Sequence, residues 1–276
     1  MTIAELLRKL QGELSPLLGE FAQSDAELII GYSLNISRTQ IYTGCEKKIT
    51  GRDLNRIESI VKRRLSGEPL QYILGSVYFY DREFFVNRDV LIPRPDTETL
   101  VETVLNAEKS SEAVFVDIGT GSGILAAVLT ANNPAWTAVA VDISFKALRV
   151  ASRNIPNNVK PLCADMLSAF KQTEKFDFLV SNPPYISLSQ MQTLDKSVAD
   201  YEPHGALFGG EDGLGFYRTI SVSAPMVLKD NGRIYLEIGY DQGESVPEIL
   251  YGNGWKNISV IKDLADRDRV VKANYK

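Results

Sequence analysis

Cysteine and histidine are scarce in this 276-residue chain, which contains only Cys45, Cys163 and the single histidine His204. The two cysteines form no CxxC pair, so the sequence offers no zinc site built from thiolates and imidazoles. A Ser-His-Asp triad would have to use His204, which lies in a polar, glycine-rich stretch, and we do not expect one. We therefore expect free thiols and no bound metal.

Long apolar runs and an excess of basic residues are also missing. The charged, amphipathic N-terminus has no apolar segment of signal-peptide type, and no later stretch approaches the length of a membrane span. We expect a cytoplasmic protein without membrane contact. The formal net charge is -5, whereas nucleic-acid-binding domains are usually basic, so the composition argues against direct nucleic-acid binding.

The composition and the apolar spacing predict two folded regions joined by a linker. Apolar residues make up 44% of the chain, which is enough for a sizeable core. Residues 1–75 carry apolar side chains at helical spacing and are interpreted as a small domain of four or five helices. Residues 76–93 are aromatic and β-branched, with turn formers at Asp81 and Asn87, and predict a β-hairpin linker.

Residues 94–276 begin with a helix that Asp96 or Thr97 can cap, and then alternate between strands and helices. The predicted strands cover residues 114–118, 138–141, 159–163, 176–180, 233–238, 258–261 and 270–274. The predicted helices cover residues 124–130, 145–153, 216–228 and 245–251. This alternation predicts an α/β fold with a mostly parallel, seven-stranded sheet covered on both faces. The last two strands have no helix between them, so one should run antiparallel at the far edge.

A glycine-rich turn, Asp117-Ile118-Gly119-Thr120-Gly121-Ser122-Gly123, follows the first strand of this sheet. Its glycines permit a tight turn and close approach to a ligand, but their GxGxG spacing differs from the GxGxxG of dinucleotide sites. Asp142 and Asp165 end the next two strands. Asp142 can accept hydrogen bonds from the hydroxyls of a ribose, and Asp165 can accept one from the amino group of an adenine that packs on Met166. These features favour an adenosine ligand with an amino-acid tail. The alternatives are a turn without a ligand, a helix cap at Asp142, and an ordinary loop carboxylate at Asp165 beside a core methionine at Met166.

The segment Asn182-Pro183-Pro184-Tyr185 follows the fourth strand. Asn182 offers an amide oxygen, the two prolines lack backbone donors and leave carbonyl acceptors, and Tyr185 offers a flat face. This set suits a planar NH2 group held by its two hydrogens, and it predicts methylation of that nitrogen from a sulfonium methyl group. The segment alone does not distinguish an amide from adenine.

Further segments extend these motifs into a resemblance that covers nearly the whole chain. They are the runs at residues 67–75, 91–98, 117–123, 182–185, 201–203, 206–207, 209–214, 217–218 and 268–270. With them the sequence resembles the release-factor glutamine N5-methyltransferases, the HemK/PrmC family, which have a Rossmann-like class I methyltransferase fold.

The resemblance implies an enzyme that uses S-adenosylmethionine to methylate the glutamine of the GGQ motif in class 1 peptide-chain release factors. The expected cofactor-binding residues are Asp117, Gly119, Thr120, Gly121, Ser122, Gly123, Asp142, Asp165, Met166 and Asn182. Asn182, Pro183, Pro184 and Tyr185 would bind the glutamine amide, and Asn182, Pro183 and Tyr185 would form the catalytic set. Residues 1–75 would recognise the substrate, and we expect a monomer.

Other functions remain open at the level of sequence. A DNA adenine-N6 methyltransferase would share the Asn-Pro-Pro-Tyr element, but it needs a basic and aromatic target-recognition region that residues 1–75 lack. A methyltransferase for a glutamine of another protein is a second alternative. A non-catalytic binding module is a third, although the glycine turn and Asn182–Tyr185 are both intact.

Overall fold

The computed structural model describes residues 1–171 and 175–275, which divide into two compact units. The first comprises Met1–Gly75 together with Lys196–Tyr201. The second comprises Ser76–Asp195 and the chain from Glu202 onward, so the β-hairpin belongs to it. No helix of the described residues is both long and apolar enough to span a membrane.

The secondary structure of the described residues comprises α-helices, β-strands and short 3-10 turns. The helices are α1 Ile3–Leu18, α2 Ala22–Leu34, α3 Arg38–Thr43, α4 Gly51–Leu65, α5 Leu70–Leu74, α6 Glu98–Ala107, α7 Ile124–Asn132, α8 Phe145–Asn154, α9 Leu188–Met191, α10 Lys196–Ala199, α11 Gly215–Ser223 and α12 Ser245–Gly252. The strands are β1 Ser76–Phe79, β2 Arg82–Phe85, β3 Val114–Ile118, β4 Thr137–Asp142, β5 Val159–Cys163, β6 Phe176–Ser181, β7 Leu228–Glu237, β8 Lys256–Lys262 and β9 Asp268–Asn274.

The helical unit is built from helices whose starts the sequence defines. Thr2, Ser37 and Thr50 cap α1, α3 and α4 by accepting a hydrogen bond from a backbone N–H of the first turn. The apolar residues at helical spacing form one buried core, which includes Ile3, Leu6, Leu10, Leu14, Ile29, Ile30, Ile57 and Ile60. This burial stabilises the unit, because short helices are marginal on their own.

The seven-stranded sheet of the second unit has the order β5-β4-β3-β6-β7-β9-β8, which confirms the predicted α/β fold. Strand β3 pairs in parallel with β4 on one side and with β6 on the other. The chain order therefore reverses at β3, and such switch points form a crevice at the carboxyl ends of the strands. The predicted place of the antiparallel strand was wrong: β9 is antiparallel to both neighbours and lies between β7 and the edge strand β8.

Three local predictions need correction. The hairpin is limited to β1 and β2, and Asn87 instead forms a side-chain turn in which its Oδ1 accepts from Asp89 N at 2.9 Å. The helix predicted over residues 216–228 ends at Ser223, and Leu228 already belongs to β7, because a 3-10 turn containing a proline intervenes. Thr97 makes no side-chain cap at the start of α6, since its backbone is already helical.

Candidate active site

A cavity of about 440 Å³ lies at the carboxyl ends of β3, β4 and β6, where the sheet order reverses. Its volume lies in the range of small-molecule sites, roughly 300–1,000 Å³. The predicted site residues that line it are Gly119, Thr120, Gly121, Ser122, Asp142, Asp165, Met166, Asn182, Pro183 and Pro184. The other three predicted residues, Asp117, Gly123 and Tyr185, do not line the cavity. Each of them packs against residues that do.

The glycine turn between β3 and α7 presents backbone to this cavity. Gly119 and Gly121 have φ angles of 67° and 55°, a left-handed conformation that glycine adopts without strain. A β-carbon added at Gly119 would meet no atom within 4 Å, and one at Gly121 would meet only a backbone oxygen at 3.9 Å. Both positions therefore leave room for a ligand to approach the main chain.

Gly123 and Asp117 do not line the cavity, and they stabilise the conformation of the turn instead. A β-carbon at Gly123 would lie 2.7 Å from Ile155 Cγ2, so this glycine allows α7 to pack closely. The fully buried Asp117 accepts hydrogen bonds from Thr120 Oγ1 at 2.6 Å and from Ala126 N at 3.3 Å. Burial raises the pKa of Asp117 to about 7, although these hydrogen bonds oppose the shift.

The carboxylate of Asp142 is tied to the glycine turn. It accepts from Gly121 N at 2.9 Å and from Ser144 N at 2.8 Å, while Ser144 itself caps α8. Each carboxylate oxygen has a further lone pair, so Asp142 can still accept from a ligand hydroxyl. Asp165 and Met166 follow β5 on the same cavity wall, and Met166 has a left-handed φ of 48°.

Asn182 follows the end of β6, beside the glycine turn. The preceding Ser181 donates through Oγ to Ile118 O at 2.7 Å, which joins the ends of β6 and β3. Asn182 Nδ2 donates to Thr97 Oγ1 at 3.2 Å. The amide oxygen Oδ1 is therefore the end of this side chain that remains available to a ligand in the cavity. The sequence suggested Thr97 only as a helix cap, and this contact was missed because it joins residues 85 positions apart.

The glycine-rich segment at residues 209–214 packs against the backbone of the Asn182–Tyr185 segment. A β-carbon at Gly209 would lie 2.6 Å from Pro184 O, and one at Gly213 would lie 2.3 Å from Tyr185 O. Gln242 Nε2 donates to both Tyr185 O and Gly213 O at 3.2 Å. The segment thus fixes the loop through main-chain contacts. Because burial raises the pKa of Tyr185 to about 12, its phenol is neutral near pH 7.

Glu202 anchors another part of the cavity wall. Its buried carboxylate accepts a hydrogen bond from Ile92 N at 3.2 Å and forms an ion pair with Arg94. These two contacts fix the stretch of chain that contributes Leu91 and Pro93 to the cavity lining. The neighbouring His204 is exposed and does not line the cavity. Its position gives no support to a catalytic triad.

Comparisons with known proteins agree with this architecture. Residues 5–75 match the family model described as the PrmC N-terminal domain, and residues 95–201 match the methyltransferase small domain. A solved methyltransferase from Pyrococcus furiosus has a similar fold, with 17% identity, a TM-score of 0.53, and coverage of 80% of this chain and 98% of that chain.

Relatives of higher identity match almost the full length. The release factor glutamine methyltransferase of Thermodesulfovibrio yellowstonii is 41% identical over 90% of each chain. The release factor glutamine methyltransferase of Streptococcus pneumoniae is 38% identical over 98% of each chain.

Proposed function

This chain belongs to the family of release factor glutamine methyltransferases, and we propose that it methylates the side-chain amide nitrogen of the GGQ glutamine in class 1 peptide-chain release factors. The methyl donor in this proposal is S-adenosylmethionine. The observation that carries the proposal is the position of Asn182, which lines the same cavity as the glycine turn and has its amide nitrogen bound to Thr97.

The residues of the cavity fit S-adenosylmethionine. Gly119 and Gly121 leave main chain open to a ligand, and Asp142 has lone pairs for ribose hydroxyls. Asp165 can accept from an adenine amino group, and Met166 offers a thioether surface for the ring. When bound, this cofactor supplies an electrophilic methyl group on a positively charged sulfur.

The chain would act on the amide mainly by holding it. The lone pair of an amide nitrogen is delocalised, so the nitrogen is a poor nucleophile that needs orientation. Asn182 Oδ1 and the Pro183 carbonyl oxygen would each accept one hydrogen of the NH2 group and fix its direction. These acceptors would also stabilise the positive charge that develops on nitrogen, which ends when the acidic methylated cation loses one N–H proton to solvent. Pro184 and the neutral phenol of Tyr185 would frame the loop without introducing a competing charge.

The helical unit is proposed to recognise the release factor. Residues 5–75 match the PrmC N-terminal domain model, which supports a role specific to this family. Its buried core accounts for its stability but identifies no contact surface.

The direct test is to incubate the protein with labelled S-adenosylmethionine and a purified class 1 release factor. We expect label in the wild-type factor, none in a factor whose GGQ motif is changed to GGA, and a loss of roughly 100-fold or more with Asn182→Ala enzyme. Equal labelling of the GGA factor would refute the glutamine assignment. A parallel incubation with duplex DNA tests the adenine-methylation alternative, and label in DNA alone would favour it.

A further inference from the structure

Two buried polar side chains lie next to Asn182, and one of them, Thr97, also belongs to the cavity lining. Thr97 ends the 3-10 turn before α6, and Glu237 ends β7, and each has an exposed fraction of 1%. Glu237 does not line the cavity, and its Oε2 has no hydrogen-bond partner among the described residues. A buried carboxyl group with an unsatisfied oxygen is costly, so its place beside the site calls for a role.

A hydrogen bond connects two of these three side chains. Asn182 Nδ2 donates to Thr97 Oγ1 at 3.2 Å. Burial raises the pKa of Glu237 to about 7, while hydrogen bonds from Thr97 and Asn182 lower it. The Thr97 hydroxyl accepts from Asn182 and still has its own proton to donate. Ser181 pairs with Leu236, so Glu237 lies beside Asn182 across β6 and β7, where its carboxylate can accept from the Thr97 hydroxyl or the Asn182 amide.

The charged groups around Glu237 do not explain its burial as an ion pair. The positive charge of Arg269 lowers the Glu237 pKa and the negative charge of Asp96 raises it. Arg269, however, binds Asp263 at 3.0 Å and Asp96 at 3.3 Å. In the described part of the chain no cation lies within ion-pair distance of Glu237.

The negative charge of Glu237 also acts on the phenols of Tyr185 and Tyr217. Burial and the Glu237 charge raise the pKa of both tyrosines, so they stay neutral near pH 7. Tyr217 donates its hydroxyl proton to the Glu237 backbone carbonyl at 2.8 Å rather than to the carboxylate. Thr97 and Asn182 are therefore the neighbouring groups that can donate to the carboxylate, and both lower its pKa.

The orientation of the Asn182 amide decides what the cavity offers. The two ends of an asparagine amide have nearly the same shape, so hydrogen-bond partners alone determine which end faces a ligand. If the Asn182 amide were rotated by 180°, its NH2 group would face the NH2 group of the substrate. The cavity would then lose Oδ1 as a hydrogen-bond acceptor. The Glu237 carboxylate opposes that rotation, because it can accept the Thr97 proton and so leaves the Thr97 oxygen as an acceptor for the Asn182 NH2 group.

We propose that Thr97 and Glu237 are positioning residues that hold Asn182 with its Oδ1 toward the cavity, where it accepts from the substrate amide. The role rests on the proposed function, because it is defined by the NH2 group that Asn182 would bind. Neither residue has to touch the substrate for this purpose. A hydroxyl at position 97 and an acceptor at position 237 are what the role requires.

The kinetic test compares Thr97→Val, which keeps the shape and removes the hydroxyl, with Thr97→Ser, which keeps the hydroxyl. We expect Thr97→Val to lower kcat about 10- to 100-fold, and Thr97→Ser to recover most of that loss. Thr103→Val, which removes a hydroxyl bound to the Thr99 carbonyl within α6, is the matched control. We expect Glu237→Leu to behave like Thr97→Val and Glu237→Gln to recover activity.

A double-variant cycle separates positioning from general destabilisation. Because Thr97 acts through Asn182, adding Thr97→Val to Asn182→Ala should cause no further loss of kcat. Additive losses, or a Thr97→Val enzyme with wild-type kcat, would overturn the proposal.

A spectroscopic measurement tests the inference independently of the substrate. In 15N spectra, Asn182→Ala identifies the Asn182 side-chain NH2 signal, whose exchange with water should be slow in wild type and about tenfold faster in Thr97→Val. If the wild-type enzyme failed to label a release factor while this NH2 remained protected, the proposed function would be wrong and the positioning role would stand. Equal exchange in wild type and Thr97→Val would refute the positioning role whatever the substrate is.

Discussion

Replacing Gly213 by alanine should disable the enzyme through the backbone of the proposed substrate loop. The new β-carbon would lie 2.3 Å from Tyr185 O and 3.0 Å from Gln242 Nε2, whereas ordinary contacts begin near 3.4 Å. The loop must therefore move by about 1 Å, and a displacement of that size near reacting atoms can lower a rate roughly 100-fold. The φ of 77° at Gly213 adds roughly 1–2 kcal/mol of strain for any residue with a β-carbon.

The assay should measure kcat with a release factor, the Kd of S-adenosylmethionine and the thermal melting temperature. We expect kcat to fall about 100-fold and stability by roughly 2–3 kcal/mol, because strain and one weakened Gln242 hydrogen bond combine. The Kd should change little, since Gly213 does not line the cavity. Gly252→Ala is the control, because its β-carbon meets nothing within 4 Å at the end of α12. A Gly213→Ala enzyme with wild-type kcat would refute this account of the segment.

Three further substitutions test the cavity and its supports. Gly119→Ala should weaken S-adenosylmethionine binding and lower the free energy of unfolding by only about 1–2 kcal/mol. Gly123→Ala should lower the free energy of unfolding more, because its β-carbon meets packed side chains. Calorimetric binding and urea unfolding measure these effects, and the reverse order would contradict this reasoning. Asp117→Asn should flatten the pH dependence of the free energy of unfolding. The folded-state pKa of Asp117 is raised from 3.8 to about 7. Its contribution to stability is therefore complete below about pH 4 and is lost as the pH rises through 7. Urea unfolding from pH 4 to 8 measures this slope, part of which Glu237 should retain, and an unchanged slope would exclude Asp117 as its source. Glu202→Gln should lower the free energy of unfolding by about 2 kcal/mol, because it leaves its arginine partner without a counter-charge; a wild-type unfolding curve would show that this ion pair contributes nothing.

Much of the second unit could be predicted because its signals are local. Short apolar runs bounded by glycine, proline and aspartate identify strands such as β3 and β6, and alternation with helices implies a parallel sheet. The carboxyl ends of those strands meet at one edge, so Gly119, Asp142 and Asn182 could be expected near one another. The structure places all three on the wall of one cavity.

The remaining features depend on contacts between distant parts of the chain. The place of β9 between β7 and β8 depends on hydrogen bonding across the sheet, which the spacing of two neighbouring strands does not determine. Thr97 looks like a helix cap in sequence, and only the fold brings its hydroxyl to Asn182. Asp117 looks like a ligand-binding carboxylate, but complete burial directs it to Thr120 instead.

The glycine-rich segment at residues 209–214, one of the segments that carry the family resemblance, acts on the backbone next to Asn182. Gly209 and Gly213 pack against the main chain of Pro184 and Tyr185, so their role depends on the absence of a side chain rather than on any reactive group. In the proposed function, the Asn-Pro-Pro-Tyr element would supply acceptors for any planar NH2 group, whether amide or adenine. We expect the shape in which the loop is held to contribute to discrimination between the two. A chain with the Asn-Pro-Pro-Tyr element but without glycines at positions 209 and 213 would therefore keep the hydrogen-bond acceptors and lose this loop geometry.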